Sequence, residues 1–214
     1  MRALSDALLG FLAGFSITLG ATAYLVLENI MAGALMFTVG LFAICTFGWN
    51  LFTGKLCYSI GKGPKYIGFL AVVWISNFIG AGAGGLLIRA TRLTAAVERA
   101  NALCDTKLGD SLGSVFLLAI CCNVLIYIAV EGYRSNPHEL GKYLSIFFGV
   151  TVFVVCGFEH CIANMYYLTV AGRWSLEAVA FILVNTAGNI AGGLLIPAVS
   201  ELSRRCREKA GAGR

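Results

Sequence analysis

Polar residues punctuate this chain so sparsely that six apolar runs stand out. Each is long enough to cross a bilayer as a helix, which takes about 20 residues. They cover about residues 4–27, 30–60, 66–87, 113–130, 143–170 and 176–199. Two of these spans carry interruptions. The second is too long for one straight helix, and Gly48-Trp49-Asn50-Leu51-Phe52-Thr53-Gly54 breaks it with glycine and polar side chains. The fifth holds Cys156-Gly157-Phe158-Glu159-His160-Cys161-Ile162-Ala163-Asn164-Met165, which puts a carboxylate, an imidazole and an amide at membrane depth. Ionisable groups there are costly, so they usually face a bundle interior or a water-lined cavity and mark a substrate or ion path.

The connections are short. Gly61-Lys62-Gly63-Pro64-Lys65 is a loop of breakers and charge, and residues 131–142 form a polar loop with Pro137 and His138. Between Ile88 and Leu112 the charges Arg89, Arg92, Glu98, Arg99, Asp105, Lys107 and Asp110 alternate with small apolar residues, as expected of an amphipathic segment at the membrane surface or of a plain solvated loop. Gly10 and Gly14 in span 1, and the small residues Gly80 to Gly85 in span 3, suit close helix approach.

Composition agrees with the spans. The 214 residues are 58% hydrophobic and 13% charged, with a mean hydropathy of +0.82; no soluble domain fits these values, and the length leaves none over. The formal charge of +5 does not imply nucleic-acid binding, because the aromatics lie in apolar runs and Arg204, Arg205, Arg207 and Lys209 form a short cluster beside a span. Placing the N-terminus in the cytoplasm puts Arg2, Lys62, Lys65, Arg134, Lys142 and the tail cluster with Arg214 on that side. Arg89, Arg92, Arg99, Lys107 and Arg173 fall on the other. Ten against five predicts cytoplasmic N- and C-termini in a plasma (inner) membrane protein. Ala21-Thr22-Ala23 resembles a signal-peptidase site, but Asp6 near the start and the spans that follow favour an uncleaved first helix. Six of the eight cysteines, Cys45, Cys57, Cys121, Cys122, Cys156 and Cys161, fall in spans, where they read as small apolar residues.

The two halves echo one another. The first break precedes a span with Asn77-x-x-Gly80 and Gly-Gly-Leu-Leu-Ile; the second precedes one with Asn189-x-x-Gly192 and the same five residues. Gly48 to Asn77 is 29 residues and Gly157 to Asn189 is 32. Three spans per repeat is an odd number, so the repeats insert with opposite orientation, and such proteins place their path at the repeat interface near the midplane. Helices that restart after a break point N–H groups and a positive dipole end at it, which favours an anion. His160 adds a proton donor, and Thr53 a hydroxyl able to hold one imidazole nitrogen.

Gly157-Phe158-Glu159-His160-Cys161-Ile162-Ala163-Asn164-Met165 and Leu51-Phe52-Thr53, with the repeat around them, resemble the formate/nitrite transporter family across nearly the whole chain. The absence of any Asn-Pro-Ala disfavours an aquaporin, since the only prolines are Pro64, Pro137 and Pro197. The resemblance implies an all-α integral membrane fold: an aquaporin-like protomer of six transmembrane helices in two inverted three-helix repeats, with spans 2 and 5 broken. It also implies a homopentamer. One channel domain would fill residues 1–214, with repeat 1 at about 1–88, the surface segment at about 89–112, repeat 2 at about 113–200 and a cytoplasmic tail at 201–214. By the same resemblance His160 is the central histidine, Thr53 its hydrogen-bonding partner and Lys107 the basic residue of the outer vestibule. Asn123 and Asn189 become asparagines of the path, and Phe37, Leu41, Leu51, Phe52 and Phe153 apolar constrictions. Asn50 departs from the acidic residue often found before Leu-Phe-Thr, and Lys55 adds a charge just after it.

The function expected is passage of a small monovalent anion (formate, nitrite or hydrosulfide) together with protons, with His160 sharing or donating a proton. Removing the charge relieves most of the cost of carrying a bare anion across apolar rings. An acetate or lactate transporter of the same fold is the alternative. Plainer roles stay open for single residues: His160 as a buried hydrogen-bonded side chain, Lys107 as a solvated charge, Asn77, Asn123 and Asn189 as links between helices, and the phenylalanines and leucines as core. Glu159 and Asn164 are expected to be structural. A membrane-embedded metal or redox enzyme using Cys156, Glu159, His160 and Cys161 lacks a convincing ligand set, because the other histidine, His138, is in a loop. No cofactor is therefore expected.

Overall fold

The computed structural model describes residues 1–211; Arg214, counted above with the tail, lies outside them. Nine helices form among the described residues: α1 Arg2–Val26, α2 Ile30–Phe47, α3 Phe52–Leu56, α4 Pro64–Arg89, α5 Thr94–Leu108, α6 Leu112–Ser135, α7 Glu139–Val155, α8 Cys161–Ala171 and α9 Leu176–Gly211. Five of them, α1, α2, α4, α6 and α9, are long and apolar enough to cross a membrane. At 1.5 Å per residue the 26 residues of α4 reach about 39 Å, beyond the roughly 30 Å of a hydrocarbon core. The fifth span is the broken pair α7 and α8, just as α2 and α3 make the broken second span.

Helix ends follow local chemistry. Asn29 caps α2 by accepting from Ala32 N–H at 2.9 Å, Ser111 caps α6 by accepting from Ser114 N–H at 3.2 Å, and Pro64 opens α4 where no N–H partner is needed. Gly48 (φ 71°) and Gly157 (φ 67°) take the left-handed conformation at which α2 and α7 end. A side chain there is strained, which is why glycine marks both breaks. The next residue then turns back identically in the two repeats: Trp49 N–H donates to Ile44 O at 3.0 Å and Phe158 N–H to Phe153 O at 2.9 Å.

The inverted repeat shows in the packing. Helix α1 pairs with α4 as α6 pairs with α9, α1 with α2 as α6 with α7, and α8 lies on α4 as α3 lies on α9. Glycines set how close the paired helices come. A Cβ on Gly80 would lie 2.2 Å from Phe11 O, and one on Gly192 would lie 2.2 Å from Ile120 O. Bulk at these positions would force the backbones apart.

Three boundaries differ from the expectations. The surface segment folds as α5, whose Ala96, Ala100 and Cys104, one turn apart, are buried; this helix packs mainly on α8. The polar loop at 131–142 shrinks to three residues, because α6 continues to Ser135 and α7 begins at Glu139. Span 6 does not stop at 199: α9 runs through Pro197 into the charged tail, where Arg204 and Arg205 bind Glu201 at 2.7 Å each. These bonds hold the Glu201 carboxyl below its usual range, at about 2. Ion pairs three and four residues apart favour continuation of the helix into the tail.

Candidate functional site

Each break is pinned by one asparagine from the neighbouring long helix. Asn77 Oδ1 accepts from Phe52 N–H at 2.8 Å, while its Nδ2 donates to Gly10 O at 2.7 Å and Asn50 O at 2.8 Å. Asn189 repeats this in the second half. Its Oδ1 accepts from Cys161 N–H at 2.9 Å, and its Nδ2 donates to Ala119 O at 2.9 Å and Glu159 O at 2.8 Å. Three hydrogen bonds made by each of these buried amides join a break to the helix pair behind it, which lets irregular backbone persist away from water. The first N–H of each restarting helix is therefore already engaged, so neither is left free to face an anion.

At the join of the two repeats, Thr53 Oγ1 and His160 Nε2 lie 3.0 Å apart. Both residues are buried, at 0% and 2% exposure. His160 also caps α8: its Nδ1 accepts from Ala163 N–H at 3.2 Å. An Nδ1 that accepts leaves the proton on Nε2, so the ring is held in the neutral tautomer that donates to Thr53. Phe153 stacks on the imidazole with centroids 5.8 Å apart, and Phe37 meets Phe153 edge-on at 5.7 Å.

Two cavities approach this point. A wide one of about 710 Å³ is bounded by the ends of α2 and α6, the starts of α4 and α7, and α3, with Leu41 and Leu51 at its apolar wall. A narrow one of about 40 Å³ is lined by His160 itself together with Phe153, Lys107 and Asn164, whereas His160 does not line the wide one. The narrow one has room for a species of only a few atoms. Lys107 Nζ is 2.8 Å from Glu159 Oε2, with side-chain exposures of 12% and 4%, and the same oxygen accepts from Asn164 Nδ2 at 2.5 Å. The Lys107 charge is thus compensated within the narrow chamber.

The residues singled out in the sequence take distinct places. His160, Lys107, Phe153 and Asn164 line the narrow cavity, and Leu41 and Leu51 the wide one. Thr53 lies behind His160, and Phe37 behind Phe153. Asn189 and Phe52 belong to the pinning network. Asn123 lines neither cavity: its Nδ2 donates to Thr53 O at 3.3 Å and Asn189 O at 2.7 Å, and its buried Oδ1 has no partner among the described residues. Sequence reasoning missed the tyrosines, with Tyr24 and Tyr167 at the narrow cavity and Tyr58, Tyr66, Tyr133 and Tyr143 around the wide one. They sit at span ends, where tyrosine also reads as an interface anchor, so spacing alone does not mark them. No cluster of three or more metal-ligating side chains occurs among the described residues.

Comparison with known proteins agrees with this geometry. The family model described as "Formate/nitrite transporter" matches residues 1–202. The formate channel BtFdhC of Bacillus thuringiensis is 32% identical over 216 aligned positions, which cover 87% of this chain and 81% of that protein. The uncharacterized transporter YrhG of Bacillus subtilis (strain 168) is 30% identical, with coverage of 86% and 79%. A solved pentameric formate channel with formate bound superposes with a TM-score of 0.84 at 24% identity, covering 96% of this chain and 98% of that one, and shows the shared fold. With its whole architecture and both breaks accounted for, this multi-pass membrane chain belongs to the formate/nitrite transporter family.

Proposed function

We propose that the chain is a channel or transporter for small monovalent anions, formate, nitrite or hydrosulfide, whose passage is linked to protons at His160. In this reading residues 1–214 form one channel domain of a homopentamer in the plasma (inner) membrane, with both termini in the cytoplasm. The wide cavity then faces inward and the narrow one outward. The observation that carries the proposal is the position of His160, which is bonded to Thr53 at the join of the repeats and lines the narrow cavity, while Leu51 and Gly54, the near neighbours of Thr53 in the chain, line the wide one. The similarity to a formate channel and the fold shared with a pentameric formate channel support it.

An anion reaching His160 has Phe153 on one side and Leu41 and Leu51 on the other, surfaces that offer no compensation for charge. A proton that the ring takes up from solution and then shares with or donates to the anion turns the anion into a nearly neutral species for that crossing and returns the imidazole to its neutral form. The hydrogen bonds around the ring add a condition. A second proton on the imidazole occupies Nδ1, which then no longer accepts from Ala163 N–H, so charging the ring releases its cap on α8.

Flux of formate, nitrite, hydrosulfide, acetate and lactate into proteoliposomes tests the assignment. The about 40 Å³ chamber predicts that the first three pass at least about tenfold faster than lactate, and the proton linkage at His160 predicts that flux rises as pH falls. Faster lactate than formate would assign the chain to the acetate or lactate alternative.

A further inference from the structure

The two breaks are equivalent in backbone and unequal in charge. The chain separation that relates Gly48 to Gly157 and Phe52 to Cys161 also relates Asn50 to Glu159. In the second break the carboxylate is neutralised by Lys107 at 2.8 Å. In the first, the corresponding side chain is an uncharged amide whose Nδ2 donates to Asp6 O at 3.3 Å, and five residues on stands Lys55, on the single turn of α3. Lys55 lines the wide cavity beside Leu51. Among the described residues, no carboxylate lies within ion-pair distance of it.

Of the acids near the cavity, Glu139 lines it and Glu131 does not, although Glu131 keeps its negative charge while accepting from a neutral phenol. Glu139 is paired with Lys142 at 2.5 Å, and Glu131 accepts from Tyr58 Oη at 2.7 Å. Arg134, which also lines the cavity, lies over the Tyr58 ring at 4.9 Å. The residues lining the wide cavity thus include four cations, Lys55, Lys62, Arg134 and Lys142, against the one carboxylate of Glu139, and Lys55 stands among them with the apolar Leu41 and Leu51. A concave site lined by one sign of charge over low-dielectric walls concentrates the opposite ion.

We infer that Lys55 captures the transported anion, a small singly charged carboxylate, nitrite or hydrosulfide, at the base of the wide cavity against Leu41 and Leu51. It thereby makes entry from this face favoured over entry past the compensated Lys107. The inference rests on the reading of the chain as an anion channel and assigns it a substrate-binding residue.

Formate flux is measured in proteoliposomes of fixed protein orientation, loaded from one face at a time. With Lys55→Gln the half-saturating formate concentration at the wide-cavity face rises about tenfold, equivalent to about 1.4 kcal/mol. The maximal rate stays within about twofold, and the value at the other face is unchanged. Lys55→Arg keeps the wild-type value, as does Lys65→Gln, which removes an exposed charge outside the cavity. An unchanged half-saturation in Lys55→Gln, or an equal rise at both faces, overturns the assignment. Wild-type protein gives a second measurement that needs no variant. Flux at low formate falls more steeply with ionic strength from the wide-cavity face than from the other, and equal slopes also overturn it. Absence of wild-type flux for formate, nitrite and hydrosulfide alike removes the channel reading and this inference with it. That outcome is distinct from wild-type flux with an indifferent Lys55.

Discussion

The break at Gly48–Leu51 and the break at Gly157–His160 share a backbone and differ in nearly every side chain that faces a cavity. Both end a helix on a left-handed glycine, turn back by one hydrogen bond and restart under an asparagine from a neighbouring helix. The first then presents Leu51 and Lys55 to a cavity of about 710 Å³. The second presents His160 to one of about 40 Å³ that Lys107 and Asn164 also line, both bound to the Glu159 carboxylate behind them. Glycine and asparagine therefore hold the geometry of a membrane break, and the residues between them are free to set its chemistry. An internal repeat keeps the first set and diversifies the second.

Four sets of substitutions probe that division, each read by thermal unfolding of the detergent-solubilised protein. The largest effect is expected where the repeats differ. Lys107→Met leaves Glu159 buried without its counter-charge and costs about 3 to 5 kcal/mol, most of it recovered in the double variant with Glu159→Gln; a double variant no better than the single one contradicts the pairing. Next come the glycines at the helix crossings. Gly80→Ala and Gly192→Ala each place a methyl against a backbone carbonyl and cost about 3 kcal/mol. A normal melt in only one of them would show that the repeats do not depend on the same contact. Asn77→Ala and Asn189→Ala each unpair three backbone groups and are expected to cost about 2 to 3 kcal/mol, equally in the two halves. Smallest are Gly48→Ala and Gly157→Ala, about 1 to 2 kcal/mol each. No atom obstructs a Cβ at either site, so only the left-handed backbone opposes it.

The sequence makes the breaks visible because glycine, asparagine, glutamate and histidine are conspicuous in an apolar run. It makes the repeat visible because Asn-x-x-Gly and Gly-Gly-Leu-Leu-Ile recur at nearly equal distance from each break. What lies across the fold is less legible. Lys107 and Glu159 are 52 positions apart and meet only because α5 packs on α8, a docking that the alternating charges of residues 88–112 do not specify. The size of the wide cavity depends on how the ends of α2, α6 and α7 diverge, which no local pattern encodes. The tail's helix becomes legible only when the spacing of its charges at three and four residues is matched to ion pairs on one helix.

The proposed role of His160 is tested most directly by counting protons. Wild-type protein and His160→Asn are compared in proteoliposomes by measuring formate uptake and lumenal acidification together. Asparagine retains a hydrogen-bonding side chain beside Thr53 but does not titrate. About one proton is expected to enter per formate in the wild type, with that coupling lost in His160→Asn. Unchanged proton coupling in His160→Asn would contradict that role.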